Sequence, residues 1–157
     1  GPTYIRLTGK SNNPIVNKTD YNFEIGKSIT IKEGKDISIF ATGSMVYQAI
    51  KAAEILKQNK IFAKVINMHT IKPLDKIIIK ESLDSTLIVS IEEHNVIGGL
   101  GSAISEYLST QMKKPKQLFI GIEDTYSKGG EYEYLLQKHG LTGEAIANKI
   151  IKELQKN

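Results

Sequence analysis

Short apolar runs alternate with longer amphipathic segments along most of this chain. Four of the runs have the length and apolar content that are typical of buried strands. They are ISIFATG (37–43), FAKVINMHT (62–70), TLIVSIEE (86–93) and QLFIGIED (117–124). Apolar residues recur at helical spacing in the segments 44–60, 74–84, 99–114, 131–140 and 143–155. The pattern therefore predicts strands that alternate with helices.

This alternation predicts a doubly wound α/β fold, with a mostly parallel sheet and helices on both of its faces. The strands are apolar on both sides, as expected of parallel strands that helices cover. Several helix ends carry their own signals. Ser44 and Thr142 are placed to cap the first and last helices. Glu144 lies in the first turn of the last helix, where its negative charge interacts favourably with the positive end of the helix dipole. Gly140 is placed to close the preceding helix.

The first 20 residues differ in pattern from the rest. TYIRL (3–7) predicts a short strand, and the following TGKSNNPIVNKTD has the polar composition of a linker. Because the chain begins at Gly1 without an initiator methionine, we expect a piece of a longer protein or a processed chain. The regular domain is expected to begin near Tyr21.

Length and composition limit the class of protein. A chain of 157 residues favours one domain with a real core. Hydrophobic residues make up 40% and charged residues 24%, an ordinary balance for a globular protein. No apolar run approaches the ~18 residues of a membrane span, and no signal peptide opens the chain. We expect a cytoplasmic protein that does not contact a membrane.

Charge and cysteine content narrow the functions further. The net charge is +4, but the lysines are scattered among acids and Arg6 is the single arginine. Nucleic-acid binding requires a cluster of basic residues on one surface, so we do not expect this chain to bind nucleic acid. There is no cysteine, which excludes disulfides, thiol nucleophiles and thiolate metal sites.

Polar residues and glycines collect where the predicted parallel strands end. In such sheets the ligand crevice lies beyond the carboxyl ends of the strands, where the strand order reverses. The segments 41–44, 67–70 and 91–101 end at that edge. The candidate crevice or interface residues are Thr42, Gly43, Ser44, His69, Glu92, Glu93, His94, Gly98, Gly99 and Gly101.

These residues leave several roles open. Gly43 and Ser44 fit a strand-to-helix turn, although N–H groups there could bind an anion. The glycines at 98–101 lack the G-x-G-x-x-G spacing and a P-loop lysine, which favours close packing over phosphate binding.

Two kinds of chemistry are not expected at this edge. Adjacent strand residues point to opposite faces, so Glu92, Glu93 and His94 cannot converge easily on a metal ion. No G-x-S-x-G motif occurs, so a Ser-His-Asp triad is not predicted.

Four segments carry a resemblance to a known family. They are ATGSMVYQAIKAAEIL (41–56), AKVINMHTIKPLD (63–75), IVSIEEHNVIGGLGSAISEYL (88–108) and GIEDTYSKGGEYEYLLQKHGLT (121–142). In order and spacing they resemble the C-terminal domain of transketolase-type enzymes, which use thiamine diphosphate. MHTIKPLD and EYLLQKHGLT look most like transketolase, especially its split C-terminal subunit. Deoxyxylulose-phosphate synthase and the β chain of 2-oxoacid dehydrogenases share other features and remain alternatives.

The resemblance implies a three-layer α/β/α fold with a five-stranded, mostly parallel sheet and one antiparallel strand, at residues 29–31. It implies that residues 1–20 are the tail of a pyrimidine-binding domain plus a linker, and that residues 21–157 are the transketolase C-terminal domain. The whole enzyme would transfer two-carbon ketol units between sugar phosphates in the pentose phosphate pathway. It would be a homodimer with thiamine diphosphate and magnesium, and the partners of this domain would be the pyrimidine- and diphosphate-binding domains.

The family's cofactor motif is missing from this sequence. There is no G-D-G, and the single Asn pair, Asn12-Asn13, lies in the linker. The glutamate that activates the cofactor belongs to the preceding domain. We therefore predict no catalytic, cofactor-binding or metal-binding residue on this chain, which should be inactive alone.

The resemblance also suggests roles for the strand-end residues. Glu92 should be held in hydrogen bonds, the glycines should allow close packing, and His94 should lie near an interdomain or subunit boundary. His69 is either structural or a crevice residue. A free-standing module that binds a small phosphorylated ligand, and a purely structural interaction protein, are the competing hypotheses.

Overall fold

The computed structural model describes residues 1–5, 14–17 and 20–156. Within them, the strands are β1 (Ile29–Lys32), β2 (Ile37–Ala41), β3 (Ala63–Asn67), β4 (Leu87–Asn95) and β5 (Lys116–Ile122). The helices are α1 (Met45–Gln58), α2 (Lys76–Glu81), α3 (Leu100–Ser109), α4 (Tyr132–His139) and α5 (Gly143–Leu154). No helix in these ranges has the length and apolarity that a membrane crossing requires.

The strands form one mixed sheet in the order β1-β3-β2-β4-β5. β1 is antiparallel to β3, and the β2–β3, β2–β4 and β4–β5 pairs are parallel. The predicted fold class and the short antiparallel strand are thus confirmed. In the sheet, β3 lies on one side of β2 and β4 lies on its other side. The strand order therefore reverses beside β2, where a doubly wound sheet opens its crevice.

Strand alternation builds two apolar cores, one on each face of the sheet. Ile39 and Val89 belong to the larger core, which α1, α4 and α5 cover. Phe40 and Ile88 point the other way, toward α2 and α3. Because successive side chains on a strand alternate between faces, one apolar run serves both cores.

Two predicted elements differ from the structure. Residues 3–5 are irregular and exposed, so the strand prediction is wrong there, and Arg6 and Leu7 lie outside the described residues. The helix predicted over 74–84 spans only Lys76–Glu81. It begins late because the Asp75 side chain is its N-cap and accepts hydrogen bonds from the N–H groups of Ile77 (3.2 Å) and Ile78 (3.5 Å).

The other predicted caps have mixed outcomes. Gly140 closes α4 in the left-handed conformation, with φ of 66°, and Thr142 accepts a hydrogen bond from the N–H of Ala145 at 3.3 Å. Both predictions are confirmed. Ser44 occupies the N-cap position of α1, but its side chain makes no capping bond. Its hydroxyl donates to Glu93 instead, so the predicted capping role is wrong.

Glu153 ties the last helix to the edge strand. Its side chain is almost fully buried and forms ion pairs with Lys116 on β5 and with Lys156, the latter at 2.8 Å. Hydrogen bonds from Lys116 and then Lys156 lower the pKa of Glu153 from 4.5 to about 2.

The lowered pKa predicts a pH-dependent contribution to stability. The folded pKa lies below the unfolded one, so the contribution is complete above pH 4.5 and disappears as the pH falls toward 2. Urea unfolding of the wild-type chain and of Glu153→Gln at several pH values measures it. We expect the stability difference between the two to shrink steadily as the pH is lowered through this window. A difference that stays constant with pH would contradict the assignment.

Candidate functional site

The predicted site residues lie along the carboxyl ends of three adjacent strands. Thr42, Gly43 and Ser44 follow β2, His69 follows β3, and Glu92, Glu93 and His94 occupy the end of β4. The sheet therefore brings the three segments to one edge, as predicted. Their side chains nevertheless separate into distinct local structures, because β4 alternates between the two faces.

Glu92 caps the N-terminus of α3. Its side chain is only 2% exposed, on the α2/α3 face of the sheet. One carboxylate oxygen accepts from the N–H of Leu100 at 2.8 Å and the other from the N–H of Gly101 at 2.9 Å. These N–H groups have no partner within the helix, and a carboxylate is favourable at this end of the dipole. The expected hydrogen bonds of Glu92 are thus present, and they use both oxygens.

The glycines after β4 have two different roles. A Cβ at Gly99 would lie 1.9 Å from the Glu92 carboxylate, and one at Gly101 would lie 2.5 Å from the Phe119 ring. Both glycines are therefore closely packed, and the contacts are within the chain. Gly98 has φ of +80° and open space where a Cβ would be. Gly98 supplies a left-handed turn and has no packing contact within the described chain, and its packing against a partner stays a prediction.

Glu93 belongs to a separate cluster on the other face of the sheet. Its carboxylate accepts hydrogen bonds from the hydroxyls of Ser44 and Tyr132, the latter at 2.8 Å. Burial raises the pKa of the Tyr132 hydroxyl; a hydrogen bond with Ser44 opposes the rise and Glu93 adds to it. The tyrosine therefore stays protonated and acts as the donor. This cluster joins α1, β4 and α4.

Thr42 continues the backbone pairing of β2 with β4, Gly43 forms a turn, and His94 lies at the end of β4. The N–H of Thr42 donates to the carbonyl of Ile91 at 3.2 Å. Gly43 has φ of +58° with open space around it, which fits a strand-to-helix turn. His94 is exposed, and its Nδ1 lies 2.9 Å from the carbonyl oxygen of Asn95.

His69 is covered by the segment that precedes β1. The Phe23 ring lies 4.7 Å from the imidazole, and Nδ1 is 3.0 Å from the Thr70 hydroxyl. Nε2 is buried and has no hydrogen-bond partner among the described residues. The covering segment is anchored nearby, where the N–H and hydroxyl of Ser28 both donate to Asp75 at 2.8 Å. This geometry favours the structural interpretation of His69.

Two residues important at this edge were not anticipated. Tyr132 reaches Glu93 from 39 positions along the chain, and no local pattern marks it. Asp75 caps α2 and holds Ser28. It does carry a signal, because aspartate directly before an apolar helical run is a typical N-cap.

The strand-end residues do not fit a bound magnesium diphosphate. Among the described ranges, no three His, Asp or Glu side chains are grouped so that they could hold a metal ion. Glu92 and Glu93 point to opposite faces, and each already accepts two hydrogen bonds. Magnesium prefers convergent oxygen ligands, which this pair does not supply.

Fold and site together define a doubly wound α/β domain whose strand-end carboxylates hold the domain's own helices and turns. The family described as Transketolase, C-terminal domain, matches residues 26–146. The chain belongs to this family. This domain occurs in transketolases and also in deoxyxylulose-phosphate synthases.

The chain is similar in sequence or structure to three proteins. A Methanocaldococcus jannaschii protein provisionally named transketolase C-terminal section is 42% identical over 157 residues, which are 99% of this chain and 49% of that protein. The 1-deoxy-D-xylulose-5-phosphate synthase of Dictyoglomus thermophilum is 40% identical over 133 residues, covering 84% of this chain and 22% of the synthase.

The third is a solved structure, a split-gene transketolase described as an inactive β4 tetramer. It is 37% identical, with a TM-score of 0.81 over 90% of this chain and 46% of that one. The chain thus spans about half the length of the Methanocaldococcus jannaschii protein and of the split-gene transketolase chain.

Proposed function

We propose that this chain is the C-terminal part of a transketolase, in which it supports the assembly of domains and subunits and carries out no chemistry alone. The observation that carries the proposal is the use of the strand-end carboxylates. Glu92 caps α3 and Glu93 binds Ser44 and Tyr132, so the residues of the crevice serve the fold. A domain built in this way is suited to support a catalytic site on other domains.

The proposal extends to the whole enzyme. It would be a cytoplasmic homodimer that transfers two-carbon ketol units between sugar phosphates, with thiamine diphosphate and magnesium held by the pyrimidine- and diphosphate-binding domains. Transketolase is favoured over deoxyxylulose-phosphate synthase because the transketolase relative is 42% identical over 99% of this chain, whereas synthases are 40% identical over 84% of it or 36% identical over 96%. The β chain of a 2-oxoacid dehydrogenase is the further alternative.

We expect this chain to show no ketol transfer and no binding of thiamine diphosphate with magnesium when it is assayed alone. Adding the pyrimidine- and diphosphate-binding domains should give transfer between xylulose 5-phosphate and ribose 5-phosphate. Calorimetry measures the cofactor and a coupled assay measures turnover. Binding by the chain alone with Kd below about 1 μM, equivalent to about −8 kcal/mol, would contradict the proposal.

A variant of His94 in the assembled enzyme provides the control. His94 is exposed and its Nδ1 lies near its neighbour's carbonyl oxygen, so His94→Ala should leave kcat within a few-fold of wild type. A loss of several orders of magnitude, with assembly intact by light scattering, would mean that the loop after β4 is catalytic. Pyruvate and glyceraldehyde 3-phosphate as preferred substrates would instead identify the synthase.

A further inference from the structure

A groove of about 670 Å³ lies between the loop that follows β3 and helix α3. Ile71, Lys72, Leu74 and Lys76 form one wall. The opposite wall is formed by the loop after β4 and by one side of α3. The volume is within the range of about 300–1,000 Å³ that is usual for small-molecule sites.

The groove carries unpaired positive charge. Lys72 and Lys76 both line it and are both exposed. Within the described part of the chain, neither ammonium group has an ion-pair or hydrogen-bond partner. Glu106 is the acid among the lining residues, so the groove has a net charge of one positive unit. A lysine on the β3–α2 loop and another at the first position of α2 favour a compact anion such as a phosphate group.

The lysines, and not the helix terminus, supply the attraction for an anion. The N–H groups of Leu100 and Gly101 at the start of α3 are already bonded to Glu92. The N–H of Gly98 donates to the Ser102 hydroxyl at 2.9 Å. These three N–H groups are therefore already used, and Lys72 and Lys76 supply the positive charge for an anion.

The remaining surface of the groove suits the organic part of a ligand. Leu74 and Ala103 provide apolar contacts, and Tyr107 provides an aromatic ring that also packs against the core under α2 and α3. Glu106 can accept hydrogen bonds from ligand hydroxyls. A bare phosphate would leave these contacts unused.

Two other cavities on the described chain are less suited to an anion. A cavity of about 410 Å³ beside β1 includes Lys32, but that lysine is paired with Glu54. A cavity of about 140 Å³ near Asp75 is smaller than most ligands, and the aspartate is fully bonded there.

We propose that the groove between the β3–α2 loop and α3 binds a small organic phosphate, with the phosphate at Lys72 and Lys76 and the organic body against Leu74, Ala103 and Tyr107. The argument for this site uses only the residues of this chain and does not depend on the proposed function. Its occupancy would link the β3–α2 loop to α3.

Titration of the full chain followed by amide NMR tests the site. The probes are inorganic phosphate, ribose 5-phosphate and AMP. We expect at least one organic phosphate to bind with Kd below about 1 mM and about tenfold tighter than inorganic phosphate. The shifted amides should lie at residues 71–76 and 98–107. The variant Lys72→Gln/Lys76→Gln should weaken binding by about tenfold or more.

A matched control separates the groove from a general lysine effect. Lys149→Gln/Lys152→Gln removes the same charge from the exposed side of α5, which packs against the opposite face of the sheet. It should leave the Kd unchanged. Ala103→Phe, which fills the groove, should abolish binding while the chain stays folded. The proposal is overturned if no organic phosphate binds, if both lysine variants weaken binding equally, or if Ala103→Phe binds as wild type does.

Discussion

Replacing Glu92 with alanine is expected to destabilise the domain by about 3 kcal/mol. The substitution leaves the buried N–H groups of Leu100 and Gly101 without acceptors, at a cost of about 1–3 kcal/mol each. It also removes a favourable charge from the N-terminus of α3. For a chain of this length, the melting temperature should fall by about 6–12 °C. Thermal and urea unfolding measure both quantities.

Two variants separate the cap from other effects of Glu92. Glu92→Gln keeps one oxygen acceptor but turns an NH₂ group toward the other N–H, so about half of the loss is expected. Glu93→Ala changes the adjacent, exposed carboxylate and should cost about 1 kcal/mol or less. If Glu92→Ala unfolds no more easily than Glu93→Ala, Glu92 does not hold α3.

The fold could be predicted because the apolar pattern is dictated by burial on both faces of a parallel sheet. Ile37, Ile39 and Phe40 are each at most 1% exposed, as their place in a largely apolar run implies. Helix ends were less predictable. Ser44 has the residue type of an N-cap, yet a hydrogen bond with Glu93, 49 positions away, takes its hydroxyl. The N-cap preference of a residue type is overridden in such cases by a long-range hydrogen bond that forms only in the folded chain.

The strand-end site shows the same limit. Side chains alternate between the two faces of β4, so the sequence correctly predicts that Glu92 and Glu93 point to opposite faces. Two carboxylates in this arrangement cannot converge on one metal ion. The sequence does not identify Tyr132, whose contact with Glu93 depends on where α4 docks. Nor does it distinguish Gly98, which needs a left-handed backbone, from Gly99, which needs space, because both are simply glycine in the sequence.

The structural role of Glu92 follows from where its hydrogen bonds go. A catalytic carboxylate needs a free oxygen directed at a reacting group. Both oxygens of Glu92 instead accept from the backbone of the next helix, nine positions away at most. The motif that follows β4 therefore couples the end of one strand to the start of the next helix. This coupling makes Gly99 and Glu92 a single structural unit.

Gly99→Ala should consequently be as harmful as the loss of Glu92 itself. The new methyl group would lie 1.9 Å from one carboxylate oxygen, so the carboxylate must leave its position and its bonds to α3. We expect a loss of about 2–4 kcal/mol, from overpacking together with the broken cap. Gly129→Ala is the matched control. It makes the same change where nothing lies within 4 Å, and it should cost no more than about 0.5 kcal/mol.

The double variant Glu92→Ala/Gly99→Ala tests the coupling directly. Once the carboxylate is absent, the methyl group at position 99 has room, so the second substitution should add little to the first. Urea unfolding of the four proteins should give a double-variant loss smaller than the sum of the single losses by most of the Gly99→Ala loss, about 2 kcal/mol or more. Gly101→Ala faces Phe119 and Ser90 instead, so most of its cost should persist in the Glu92→Ala background. Additive losses for Glu92 and Gly99 would mean that the glycine is required for another reason, such as the path of the loop.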